Sequence, residues 1–206
     1  MKTLLAGVVL GTTVINVHAE KENFDSSTTG APPAGWTAGV TGSGKARWEV
    51  TADASASSKP NVLVQSGRGA FPWCVKNGVA LVDGYVEVKF KPVSGREDQA
   101  GGVVWRWKDG NNYYVARGNA LENNVSLYYT EKGVRNTIRY VDAPVARGVW
   151  HTLRVDFSGS TIKVALDGKT YITVQDSHLT GPGSVGVWTK ADSVTQFDDF
   201  SYGVNP

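Results

Sequence analysis

The sequence predicts an all-β protein: a two-sheet antiparallel sandwich of the jelly-roll type. Three observations predict it. Short alternating apolar runs recur along the chain, each bounded by turn formers. The composition is weighted to 24 Gly and 7 Trp with 1 Met, which suits strands joined by tight turns. No stretch carries a convincing amphipathic helical period. Roughly ten to fourteen short strands fit the chain, which favours two stacked sheets over a single small barrel.

The N-terminus reads as a secretory signal over residues 1–19. Lys2 supplies a positive start, Leu4 to Val17 is apolar, and Val17-His18-Ala19 ends in the small residues a signal peptidase wants. The apolar run is shorter than the roughly 20 residues of a spanning helix. Residues 20–206 are then expected to form one domain, and no later segment reads as a membrane span. Gly30 to Ser58 is rich in Gly, Ser, Ala and Thr and predicts loops around one strand at Arg47 to Thr51.

Gly84 to Phe90 alternates as a half-buried strand. Val103 to Trp107 and Tyr113 to Arg117 flank the turn-forming Lys108-Asp-Gly-Asn-Asn112 and predict a hairpin. Further strands are expected at Val125 to Tyr129, Thr137 to Tyr140, Trp150 to Phe157 and Thr161 to Leu166. Asp167-Gly168 signals a tight turn into Thr170 to Val174. Ser184 to Trp188 and Gln196 to Tyr202 complete the set.

Charge is nearly balanced, with 21 basic and 19 acidic residues. No basic block suits nucleic acid. Cys74 is the single cysteine, so it forms no internal disulfide and reads as a small buried apolar residue. A catalytic thiol would need a His and an acid beside it, and no such motif is present.

The order of motifs resembles the concanavalin A-like lectin/glucanase jelly roll, in its bacterial laminin-G-like branch near the 3-keto-disaccharide hydrolase-type domains. The matching pieces are Phe24-Asp25 with Gly35-Trp36, Gly101-Gly-Val-Val-Trp-Arg106, Asn111-Asn-Tyr-Tyr114, Gly148-Val-Trp150 with Leu153-Arg-Val155, Leu166-Asp-Gly168, Gly186-Val-Trp188 and Phe197-Asp-Asp-Phe200. The resemblance implies a bent sandwich whose concave face holds a sugar. For some relatives it also implies a structural calcium between the N-terminal segment and the last strand. Asp198 is the first candidate ligand and Asp25 the second; the alternative is an Asp capping a turn or pairing with Lys or Arg.

The fold alone does not specify activity. Glycosidases of this fold carry paired carboxylates as Glu-x-Asp-x-(x)-Glu on one strand, and this sequence has no such run. Polysaccharide lyases need an Arg-type group and a Tyr or His base; Arg106, Arg117, Tyr113, Tyr114 and Tyr128 offer the types, but the lyase motifs are missing. Strand alternation sets Val104 and Arg106 on one face, with Val103, Trp105 and Trp107 on the core side. Val125, Leu127 and Tyr129 point inward; Asn124, Ser126 and Tyr128 point outward. In the strand between, either Tyr113 or Tyr114 shares the face of Arg106.

The expected ligand-binding set is therefore Arg106, Arg117, Tyr114, Tyr113, Tyr128 and Asn124, with Trp73 displayed from the Pro-containing Ala70 to Cys74. Trp36, Trp48, Trp150 and Trp188 are expected in packing. These residue types suit a saccharide, because rings stack on its C–H face and Arg and Asn satisfy its hydroxyls. The expectation is a secreted or periplasmic, monomeric domain that binds an oligo- or polysaccharide without cleaving it. The alternative is a lyase or hydrolase of an acidic or oxidised saccharide.

Overall fold

The computed structural model describes residues 19–205. The signal segment expected over residues 1–19 lies outside them except for Ala19. Fifteen strands and no helix occur among the described residues. In chain order they are β1 (Glu20–Glu22), β2 (Trp36–Lys45), β3 (Trp48–Ala52), β4 (Asn61–Gln65), β5 (Arg68–Lys76), β6 (Gly84–Ser94), β7 (Ala100–Asp109) and β8 (Asn112–Asn119). There follow β9 (Asn124–Glu131), β10 (Val134–Asp142), β11 (His151–Ser158), β12 (Thr161–Leu166), β13 (Lys169–Gln175), β14 (Ser184–Trp188) and β15 (Val194–Gly203).

Two antiparallel sheets stack. The first runs β13-β12-β11-β6-β15-β4-β3, with β1 added on β15. The second runs β10-β9-β8-β7-β14-β5-β2. The core lies between them. Val86, Val88 and Phe90 of β6 and Leu153, Val155 and Phe157 of β11 meet Val103 and Trp105 of β7, Tyr114 and Ala116 of β8, and Val125 and Leu127 of β9. Strands β6 and β11 alternate between buried and half-buried positions, the signature of a sheet with one wet face. Strands β8 and β14 are buried on both faces.

Most predicted strands are present, and Asp167 and Gly168 turn with φ of 50° and 78°, as a tight hairpin requires. The stretch Gly30 to Ser58 departs from its expectation. Its Gly- and Thr-rich part is not a loop but β2, paired along β5. Gly39 is needed there, because a Cβ would come 2.4 Å from the ring of Trp73.

Two breaks in alternation decide which side chains face where. In β7 the register shifts after Trp105, and Arg106 has a φ of 45°. In β15 the register shifts between Asp198 and Ser201, and Asp199 has a φ of 48°. A bulge of this kind adds a residue to one strand and reverses the phase beyond it. Phe197 and Phe200, three apart, are thereby both buried in the core. No helix among the described residues is long and apolar enough to cross a membrane.

Candidate functional site

The outer face of the seven-stranded sheet is not a plain solvated surface. Trp73, Val75, Ala100, Val104, Tyr113, Val115, Tyr128 and Trp188 form a second buried cluster there, with Phe71 and Trp107 packed against it. Trp73 and Trp107 lie 5.3 Å apart at 59°, and Phe71 stacks on Trp188 at 5.8 Å and 15°. Thr41 of β2 organises this end. Its hydroxyl accepts from Trp73 Nε1 at 3.2 Å, takes a bond of 2.8 Å with the Tyr113 hydroxyl, and donates to the Gly110 carbonyl. Gly110 lies against Trp73, where a Cβ would come 2.8 Å from the ring. A cavity of about 390 Å³ opens at this end, with Val75, Trp107, Lys108 and Ser184 in its wall.

The other end of the face is charged. Arg117 donates to Asp98 at 2.9 Å, to Glu122 at 2.8 Å, to Tyr128 Oη at 3.2 Å and to Tyr140 Oη at 2.7 Å. Arg117 is 1% exposed and Asp98 0%. Asp98 also accepts from Lys190 and from Asn119 at 2.6 Å. Glu122 accepts from Tyr140 and from Asn124 at 2.9 Å. Burial opposes ionisation of Glu122, but its bonds from Tyr140 and Asn124 and the charge of Arg117 outweigh that and hold its carboxyl at about 2. Burial and the bond to Glu122 push Tyr140 up to about 12. Between the two ends lies Arg135. Its guanidinium carbon sits 4.2 Å from the ring centre of Tyr128, 4.7 Å from Phe71 and 5.8 Å from Trp188.

Five of the seven residues expected from the sequence come together here: Arg117, Tyr113, Tyr128, Asn124 and Trp73. Two do not. Arg106 is turned to the core side by the β7 bulge, 5.6 Å from the ring of Phe157. It donates to the carbonyls of Leu179 at 3.1 Å and Gly159 at 2.7 Å, and pairs with Asp83 at 3.1 Å. Tyr114 stacks on Trp105 at 5.2 Å in the core, donates to Asp176 and accepts from Leu179 N at 3.1 Å. Both residues stitch loops at the sandwich rim. Trp73 is in a strand rather than a loop, and is 9% exposed.

The same bulge moves Trp107 from its expected core position to the outer face. Arg135, Phe71, Trp107 and Tyr140 are the parts of this face that alternation did not predict. Arg135 was missed because β10 begins at Val134, three residues before the run Thr137 to Tyr140 that reads as a strand. The turn Glu131-Lys-Gly133 was the available signal, since a tight hairpin there puts Arg135 opposite Thr130.

Asp198 and Asp25 were the expected calcium ligands. Asp198 accepts from Ser58 N at 2.6 Å, Ser58 Oγ at 2.8 Å and Asp199 N at 2.7 Å. Asp25 accepts from Asn23 Nδ2 at 2.7 Å and Asn61 N at 3.0 Å. Burial pushes the Asp198 carboxyl above its ordinary value. Calcium needs six to eight oxygen ligands. Among the described residues no three acidic, His or Cys side chains converge as ligands, and these carboxylates are turned to N–H and O–H donors. As arranged, these donors staple Ser58 and Asn61 to the two carboxylates.

No family model matches the chain, and no curated protein matches it by sequence. Solved structures do. The chain is similar to the carbohydrate binding module CBM66 from Bacillus subtilis, with 19% identity and a TM-score of 0.67 over 86% of this chain and 99% of that one. It is similar to a Bacillus licheniformis beta-glucanase, with 13% identity and a TM-score of 0.61 over 94% and 100%. It is also similar to a beta-1,3-1,4-glucanase (lichenase) derived from a mouse hindgut metagenome, with 15% identity and a TM-score of 0.58 over 90% and 98%. At these identities the likeness is one of fold. The chain has the concanavalin A-like jelly-roll fold.

Proposed function

We propose that this chain is a carbohydrate-binding jelly roll, acting outside the cytoplasm, that holds an oligo- or polysaccharide across the outer face of its seven-stranded sheet without cleaving it. The observation that carries this reading is the Trp73–Trp107 pair beside the 390 Å³ cavity. Trp107 is partly exposed and its Nε1 has no partner in the protein. An indole with a partly open face suits the C–H side of a pyranose ring. Similarity of fold to a carbohydrate binding module and to beta-glucanases supports the choice of ligand class.

The state of the acids on this face favours binding over cleavage. A general acid needs a carboxyl kept protonated near neutral pH. Glu122 is held at about 2. Asp98 is sealed from solvent and bound by Arg117, Lys190 and Asn119. No acid replaces Val104, Val115 or Trp188 at the centre of the face.

A glycan array followed by product analysis tests the reading. Binding with intact glycan recovered is expected. New reducing ends or unsaturated uronate absorbance would overturn the non-catalytic part, and no binding to any glycan would overturn the whole.

A further inference from the structure

Arg135 is a half-buried cation on this face that forms no ion pair among the described residues. Asp98, Glu122, Arg117 and Lys190 close on one another as two acids and two bases. Arg135 stands outside that network. It forms no ion pair among the described residues, and its Nη1 is buried without a hydrogen-bond partner. The rings of Tyr128, Phe71 and Trp188 surround its guanidinium instead.

Rings attract a cation but leave its N–H groups unused. Two further polar atoms near Arg135 are also without partners: Thr130 Oγ1, on the residue opposite Arg135 in the β9–β10 register, and Trp188 Nε1. Partial burial, with the charge of Arg117 nearby, lowers the affinity of Arg135 for its proton. A planar fork of donors set among aromatic rings matches one kind of ligand group, a carboxylate bound through parallel hydrogen bonds.

We infer that the outer face takes an acidic saccharide, with a uronate carboxylate seated on Arg135 and the neighbouring sugar on Trp107. This inference rests on the saccharide reading above and adds the charge of the ligand. The sugar carboxylate supplies the acceptor oxygens that Arg135 lacks. Arg117 plays no direct part, because Asp98, Glu122 and two tyrosines already use its donors.

The test measures binding of short uronate oligosaccharides from polygalacturonate, alginate and hyaluronan, each beside its carboxyl-reduced form. A sulfated oligosaccharide and a neutral beta-glucan oligosaccharide complete the set. Titration calorimetry on the whole protein is compared with Arg135→Gln, Arg135→Lys and Trp107→Ala. Unchanged thermal unfolding of the Arg135 variants reports that the fold is intact.

At least one uronate oligosaccharide is expected to bind about tenfold or more tighter than its reduced form, the value of a charge-assisted pair. Arg135→Gln should abolish that difference, and Arg135→Lys should restore part of it. A reduced form that binds as well as the acid overturns the inference. So does binding that Arg135→Gln leaves unchanged, or binding of the sulfated ligand alone. Neutral glucan binding that Trp107→Ala removes and Arg135→Gln spares keeps the saccharide reading and sinks this one. Absence of binding throughout sinks both.

Discussion

The rings of Trp73 and Trp107 meet at 5.3 Å on the outer face of the seven-stranded sheet, and the φ of 45° at Arg106 brings Trp107 there. Without that bulge Trp107 would join Trp105 on the core side. Arg106 would take its place outside. The two tryptophans are unequal in exposure, so they should separate in experiment. Trp107→Ala should weaken glycan binding with little change in stability. Trp73→Ala should cost about 3–5 kcal/mol, the range for truncating a large buried ring. Chemical denaturation and calorimetric titration of the two variants check this.

Arg106 should behave as a structural residue. Its removal leaves the Leu179 and Gly159 carbonyls unpaired and uncovers the ring of Phe157. Arg106→Ala should lower stability by about 3 kcal/mol while the folded fraction keeps its glycan affinity. A selective loss of affinity at unchanged melting temperature would return Arg106 to the binding face.

Glu122 should make the fold acid-sensitive. Its folded-state value of about 2 lies below the ordinary 4.5. A depressed carboxyl adds stability that is complete above the ordinary value and is lost as pH falls through the folded one. The loss from Glu122 should therefore fall between about pH 4.5 and 2. Asp53, also held at about 2 from an ordinary 3.8, adds to the lower part of that window. Melting temperatures across this range should fall less steeply for Glu122→Gln than for the parent. Parallel curves would show that Arg117 gains nothing from the ionised carboxylate.

The calcium implied by the resemblance is open to a direct measurement. With Asp198 and Asp25 engaged by Ser58 and Asn61, melting in chelator should match melting in millimolar calcium. Asp198→Ala should lower both equally. A calcium-dependent rise that Asp198→Ala removes would show that a cation displaces the Ser58 bonds.

Much of the outer face was legible in the sequence. Val125 to Tyr129 alternates without a break, which puts Tyr128 and Asn124 on the outer face; for Arg117 alternation leaves the facing of its strand open, and the β8–β9 register decides it. Prediction failed at Arg106 and Trp107 and at Arg135, while the spacing of three between Phe197 and Phe200 is itself at odds with a regular strand. At Arg106 and at Asp199 the period of two is broken by a residue in the left-handed region, and neither is a glycine. Nothing local marks the bulge at Arg106, because a long side chain takes a positive φ only where outside contacts hold it. At Arg106 those contacts come from Leu179, Gly159 and Asp83; at Asp199 they come from Lys21 and Lys89, both at 2.8 Å.

By itself the sequence determined the class and most of the strands, because alternation and turn chemistry are local properties of the chain. The tertiary structure decided which face each side chain meets beyond a bulge, and which charges remain unsatisfied. Both depend on partners far away in sequence. Arg117 finds Asp98 and Glu122, while Arg135 finds only rings. That difference is invisible until the sheets are assembled, since a guanidinium is free or spent only by virtue of what is packed around it.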